Sequence, residues 1–148
     1  MKSVFVDTSA FYALSDAGES THVVARTTLA GLEKAGVALV TTTDIVDEIV
    51  TLVRYRLGHA PAVILGARLA ASRWCRVVDV TDEIRTAAWQ LFVSYEDQKF
   101  SLTDCTSFAT MRAMDIDEAF GFDHTDFLAA GFSVIPDATE IPRRRTRR

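Results

Sequence analysis

The chain has 148 residues, 49% of them hydrophobic and 24% charged, a globular composition that excludes a disordered or collagen-like polymer. Its net charge of −4 hides an asymmetry, because five arginines stand in Arg143–Arg148 and the preceding residues carry 11 basic against 20 acidic side chains. So acidic a body weighs against a nucleic-acid partner unless something reverses its sign locally.

Cys75 and Cys105 form no CxxC pair, which excludes a Cys-based zinc site and predicts two buried free thiols, as in a reducing cytoplasm. No apolar stretch approaches the ~18 residues of a membrane span. The chain is expected to be soluble and cytoplasmic, with no membrane partner.

In chain order, Ser3-Val4-Phe5-Val6 is a short apolar run, the pattern of a strand buried on both faces, and it stops at the capping cluster Asp7-Thr8-Ser9. Residues 10–14 suit a helical turn or two. Val23, Val24, Ala25, Thr28, Leu29 and Leu32 recur at helical spacing up to Gly36. Residues 37–40 read as a second buried strand, 41–44 as a cap, and Ile45, Ile49, Leu52, Val53 and Leu57 as one face of a helix ending at Gly58. Pro61 fits the first turn of a helix running to about Ser72.

A strand is predicted over 76–80, a helix capped by residues 81–83, a polar loop over 94–100, and a helix capped by Thr103-Asp104 that carries Phe108, Met111 and Met114. A strand over 118–122 then ends at Asp123, a brief helix surrounds Phe127, and a last strand spans 132–135 before Pro136. The alternation gives an α/β fold: a single domain over 1–136 with a mostly parallel sheet of about five strands and helices on both faces. Residues 137–148 are expected to form a mobile, Arg-rich tail.

In such sheets ligands bind beyond the carboxyl ends of the strands. Asp7 and Asp123 each follow a predicted strand, while Glu48 and Asp104 lie near the N-termini of helices that begin at the same edge. Four converging carboxylates repel one another unless a cation neutralises them, and the three lysines (Lys2, Lys34, Lys99) are not placed to do so. A hard divalent ion takes oxygen ligands and suits the set; helix capping is the alternative for any one of these acids.

These residues resemble the PIN-domain nucleases. Residues 4–10, Val-Phe-Val-Asp-Thr-Ser-Ala, look like the family's first acidic motif, and Thr41-Thr42 with Ile45-Val46-Asp47-Glu48 look like its second. Residues 100–108 look like the third, and residues 120–127 with Ala130-Gly131-Phe132 like the fourth. The match is collinear over 3–136 and nearest to the VapC-type toxins of bacterial type II toxin–antitoxin systems. The resemblance implies a Mg²⁺-dependent endoribonuclease, with Mn²⁺ as a substitute, acting on RNA through metal-activated water. It also implies a cognate antitoxin as partner and a homodimer.

Carried over, Asp7, Glu48, Asp104 and Asp123 take the catalytic positions. Asp7, Asp104 and Asp123 hold one or two metal ions, and Glu48 is either a ligand or the residue that orients water. The family's spacing leaves Asp126 open as a supporting residue or as the fourth acid itself. Thr8, Ser9 and Thr103 are possible supporting residues, although capping explains them equally. Arg54, Arg56, Arg68, Arg73 and Arg76 suit an RNA backbone or solvated helix faces alike. The alternative function is a PIN-like module that binds RNA or protein without catalysis.

Overall fold

Ser3–Val6 (β1) lies at the centre of the sheet in the computed structural model, which describes residues 1–71 and 73–142. From it, α1 (Thr8–Ser15) and α2 (His22–Lys34) lead to β2 (Ala38–Thr42), and α3 (Thr43–Leu57) and α4 (His59–Ala70) lead to β3 (Arg76–Val78). Helices α5 (Asp82–Ser94) and α6 (Leu102–Ala113) lead back to β4 (Glu118–Phe120), and α7 (His124–Ala129) leads to β5 (Ser133–Ile135).

The sheet order is β3-β2-β1-β4-β5 and all four pairings are parallel, with Val4 opposite Leu39, Phe5 opposite Ala119 and Ala119 opposite Val134. The chain steps outward from β1 through β2 and β3, then crosses to the other side for β4 and β5. The strand order therefore reverses at β1, where a crevice opens beyond the carboxyl ends. Val4, Phe5 and Val6 are fully buried, which is why β1 reads as a continuous apolar run rather than an alternating one. This is the five-stranded parallel α/β fold expected from the sequence.

Side-chain caps set where the helices that flank the crevice begin. The Thr42 hydroxyl accepts from the Ile45 N–H at 3.2 Å to start α3, and Thr81 accepts from the Ile84 N–H at 3.3 Å to start α5. Helix α6 opens with a reciprocal capping box: the Ser101 hydroxyl accepts from the Asp104 N–H at 2.9 Å, and Asp104 Oδ2 accepts from the Ser101 N–H at 2.9 Å. Gly58 ends α3 and starts α4 in one residue, at φ 112°, a conformation that a side chain disfavours.

Helix α6 is buried almost all round. Cys105 to Met111 are without exception buried, and the Thr106 and Thr110 hydroxyls are satisfied by donating to the carbonyls of Leu102 (3.0 Å) and Thr106 (2.8 Å). Phe108 sits edge-on to Phe100 and Phe127, at 5.0 and 5.3 Å, and stacks on Phe132 at 5.7 Å. That aromatic cluster locks α6 and α7 to the β4–β5 side of the crevice.

Several predicted boundaries move. The second strand covers 38–42 rather than 37–40, because Thr41 and Thr42 are fully buried in it and Thr41 Oγ1 donates to the Val6 carbonyl at 2.8 Å. The strand predicted over 118–122 ends at Phe120, and the one over 76–80 ends at Val78. The α6 cap is Ser101, not Thr103-Asp104. Helix α4 ends at Ala70; Ser72 lies outside the described residues, as does the Arg143–Arg148 run. Residues 137–142, assigned by sequence to the tail, include a 3-10 turn over Ala138–Glu140, capped by Asp137 accepting from the Thr139 N–H at 3.0 Å. Both cysteines are buried and free, and burial pushes the Cys75 thiol up to about 12.

Candidate active site

Asp7 stands directly beyond β1, at the point where the strand order reverses. Its N–H donates to the Phe120 carbonyl at 3.0 Å, which extends the β1–β4 pairing by one residue and fixes the direction of the side chain. It occupies the N-cap position of α1, yet its carboxylate makes no capping hydrogen bond. Instead Oδ2 accepts from the Ser9 hydroxyl at 3.2 Å, and Ser9 Oγ in turn accepts from the Phe122 N–H at 2.8 Å. Ser9 thus ties the first acidic segment to the fourth.

Glycine at 121 makes that tie possible. A Cβ there would stand 3.0 Å from Ser9 Oγ and 3.2 Å from Asp7 Cβ, tighter than most packed contacts. The sequence reading missed this residue. Its signal is a glycine directly after a buried strand, which marks a close backbone approach.

Asp7 and Asp104 line one cavity of about 580 Å³ together with Glu48, from α3, and Asp123, at the N-cap of α7. Burial pushes the Asp7 carboxyl up to about 7, aided by the charges of Asp104 and Glu48; hydrogen bonds from the Thr8 N–H and the Ser9 hydroxyl oppose the rise. Asp104 is also raised, by burial first and by the charge of Asp123, against the hydrogen bonds it accepts from Ser101. Asp126 does not line the cavity but reaches Asp104 closely enough to hydrogen-bond it; burial and the charges of Asp123 and Asp104 raise it too. The structure therefore gathers all five acids, four lining the cavity and Asp126 close enough to Asp104 to act on it.

The donor set fits a hard divalent cation. Every candidate ligand is an oxygen, three of the carboxyls are held above their ordinary range by burial and mutual repulsion, and the buried Thr8 hydroxyl on the same wall has no hydrogen-bond partner. Among the described residues, no three His, Cys, Asp or Glu side chains already close around a single ion position. Mg²⁺ characteristically takes few protein ligands and completes its shell with water and substrate oxygens, which suits such an open arrangement.

The other residues singled out by sequence fall in different places. Thr103 faces a neighbouring depression with Asp44, Asp47 and Glu48 instead of the main cavity. Asp44 pairs with Arg85 at 3.1 Å. His124 keeps Nε2 buried without a partner and does not line the cavity. Trp74 packs edge-on against Phe11, whereas Trp89 is exposed and stacks on Phe92. Arg56 and Tyr12, which the sequence did not separate from their neighbours, also line the cavity.

A PIN-domain family model matches residues 4–132, from the strand that ends in Asp7 to the start of β5. The chain belongs to the PIN-domain family. It is 37% identical over 129 residues to a 23S rRNA-specific endonuclease, VapC20 of Mycobacterium tuberculosis, a match that covers 87% of this chain and 95% of the relative. The crystal structure of that M. tuberculosis protein, described as a sarcin–ricin loop cleaving toxin, superimposes with a TM-score of 0.80 over the same shares of both chains. FitAcB from Neisseria gonorrhoeae shares the fold at 19% identity and a TM-score of 0.65, covering 88% of this chain and 95% of that one. Among the described residues, no helix of this PIN domain is long and apolar enough to cross a membrane.

Proposed function

We propose that this PIN domain is a metal-dependent endoribonuclease, the toxin of a type II toxin–antitoxin pair, that cuts RNA at the cavity lined by Asp7, Glu48, Asp104 and Asp123. The observation that carries the proposal is the convergence of those acids at the reversal point of the sheet, with Asp7 pushed up to about 7 and not engaged in capping. The VapC20 relative supports RNA as the substrate class and makes ribosomal RNA the first target to test.

Asp7, Asp104 and Asp123 would hold Mg²⁺, with Mn²⁺ as a substitute; once bound, the ion supplies a water of lowered pKa and neutralises charge developing at phosphorus. The chain's own groups do the rest. Ser9 holds Asp7 through its hydroxyl while the Phe122 N–H holds Ser9. Ser101 fixes Asp104 by the capping box, and Asp126 backs it. Glu48, which lines the same cavity and whose charge acts on Asp7, would either hold the ion or orient the attacking water. The free Thr8 hydroxyl donates to a water or to a phosphate oxygen. Water attack leaves a 5′-phosphate and a 3′-hydroxyl, with no part for the ribose 2′-OH.

The partners follow from the toxin role: a cognate antitoxin that silences the enzyme, and a second copy in a homodimer, in the cytoplasm where ribosomal RNA is found. The test is RNA cleavage with Mg²⁺ or Mn²⁺ by the wild type, Asp7→Asn and Asp104→Asn. Cleavage that both substitutions leave undiminished overturns the assignment. RNA that is bound and never cut, with either ion, points to a binding module instead.

A further inference from the structure

The cavity carries one cationic side chain among its acids. Of the residues lining it, Asp7, Glu19, Glu48, Asp104 and Asp123 are acidic, and Arg56 is the one Lys or Arg among the described residues. RNA carries one negative charge per nucleotide, so a strand crossing this cavity meets repulsion wherever a cation is lacking. A metal ion held by the acids relieves only their end. We propose that Arg56 is the RNA-phosphate contact of this cavity and takes a backbone phosphate a few nucleotides from the one that is cut. The proposal rests on the ribonuclease assignment above.

The placement follows from helix geometry. Glu48, Leu52 and Arg56 stand at i, i+4 and i+8 on α3, so they share one face, and all three line the cavity. Eight residues at about 1.5 Å each put the two charged positions roughly 12 Å apart along the helix. At about 3.4 Å per stacked nucleotide, that span corresponds to a few nucleotides of strand.

Arg56 is also held ready. Its guanidinium lies over the Tyr12 ring, 4.9 Å from the centroid. The ring is fixed in turn, because the Tyr12 hydroxyl donates to Asp16 Oδ2 at 2.7 Å and Asp16 Oδ1 accepts from the Gly18 N–H at 2.9 Å. Among the described residues no carboxylate stands within ion-pair distance of the Arg56 guanidinium, although the Asp16 charge acts on it and it also reaches the Tyr12 hydroxyl. A stacked planar fork with donors to spare is suited to phosphate. Favourable placement near a helix C-terminus does not account for it, since Arg54 shares that last turn and lines no part of the cavity.

The experiment compares full-length wild type, Arg56→Ala, Arg56→Gln and Arg54→Ala. Binding is measured against salt with a labelled mixed-sequence single-stranded RNA and with a sarcin–ricin-loop hairpin, each protein carrying Asp7→Asn so that the RNA stays intact. Steady-state cleavage is measured without Asp7→Asn. Both Arg56 variants should lower the log–log salt slope by about 0.7, while Arg54→Ala leaves it unchanged. KM should rise on the order of tenfold with kcat retained, because the contact is equally present before and during the reaction. Equal slopes for Arg56→Gln and wild type overturn the proposal, as does a loss confined to kcat. So does an unchanged RNA slope accompanied by weaker antitoxin binding, which would make Arg56 a protein contact. If wild type cuts no RNA with either metal, the ribonuclease assignment fails first; if it cuts and the slopes coincide, only the Arg56 contact fails.

Discussion

Gly121→Ala places one methyl group where the site has no room for it. The added carbon would stand 3.0 Å from Ser9 Oγ and 3.2 Å from Asp7 Cβ, so these neighbours must give by a few tenths of an ångström. Neither neighbour can yield freely. Asp7 is anchored by its N–H to the Phe120 carbonyl at 3.0 Å, and Ser9 by the Phe122 N–H at 2.8 Å. Relief therefore means moving Ser9, loosening both of its hydrogen bonds and shifting the Asp7 carboxylate. Overpacking of this kind costs about 1–3 kcal/mol, which in a domain of this size lowers the melting temperature by several degrees, at roughly 2–4 °C per kcal/mol. A shift of a few tenths of an ångström at Asp7 should lower kcat/KM by roughly several-fold, short of the about 10²-fold loss that a misplacement of about 1 Å brings. Gly31→Ala is the internal control: it lies inside α2 with nothing within 4 Å of the new carbon, so it should stabilise by up to about 1 kcal/mol and leave cleavage unchanged. Calorimetry and RNA cleavage read the two variants together. If Gly121→Ala keeps full activity with stability within about 0.5 kcal/mol of wild type, the close approach at Ser9 is not what positions Asp7.

The Asp7 carboxyl, raised from 3.8 to about 7, binds its proton more tightly in the folded than in the unfolded protein. Metal-free stability should therefore fall as pH rises from about 4 to about 7, by up to a few kcal/mol, and Asp7→Asn should flatten that slope in urea titrations while abolishing cleavage. A stability that rises across this window and is indifferent to Asp7→Asn would contradict the shift. Adding Mg²⁺ at neutral pH should restore stability, by about 2.7 kcal/mol at a hundredfold excess over its dissociation constant, and EDTA should remove the gain. Ser101→Ala deletes the hydroxyl half of the α6 capping box and should cost about 1 kcal/mol, with cleavage reduced only several-fold because Asp104 keeps its bond from the residue 101 N–H. Cleavage abolished without loss of stability would instead give Ser101 a direct part in the reaction.

The order of elements and the edge at which the acids gather were legible in the sequence, because each rests on local chemistry. Val4, Phe5 and Val6 form an unbroken apolar run since both faces of β1 are covered, and the residue after such a central strand emerges at the crevice. Asp7 accordingly lines the cavity. Boundaries were less legible where a polar residue is buried by a non-local bond. Thr41 looks like part of a cap until its hydroxyl is seen to donate to the Val6 carbonyl, 35 residues away.

Helix α6 hides its burial for a similar reason. Thr106, Ser107 and Thr110 break the apolar period, yet Thr106 and Thr110 satisfy themselves on carbonyls one turn back. Spacing does not separate Asp123 from Asp126, because their positions relative to the cavity and to Asp104 are set by the start of α7. Asp123 lines the cavity and Asp126 lies against Asp104. Arg56 stands among five arginines that suit an RNA backbone or solvated helix faces alike, and Gly121 inside a predicted strand. Neither is singled out by sequence, because one matters through a cavity lined by α1 and α3 together and the other through an approach between β4 and α1.

Of the 20 acidic residues that first weighed against RNA, five line the cavity, where a divalent ion would reverse the local sign. The chemistry of the cut ends tests that reading most directly. RNA incubated with wild-type protein and Mg²⁺ should yield 5′-phosphate and 3′-hydroxyl termini, and no cleavage with EDTA or in Asp7→Asn. Cyclic 2′,3′-phosphate termini, or cleavage that persists in EDTA, would contradict metal-dependent water attack at the Asp7 cavity.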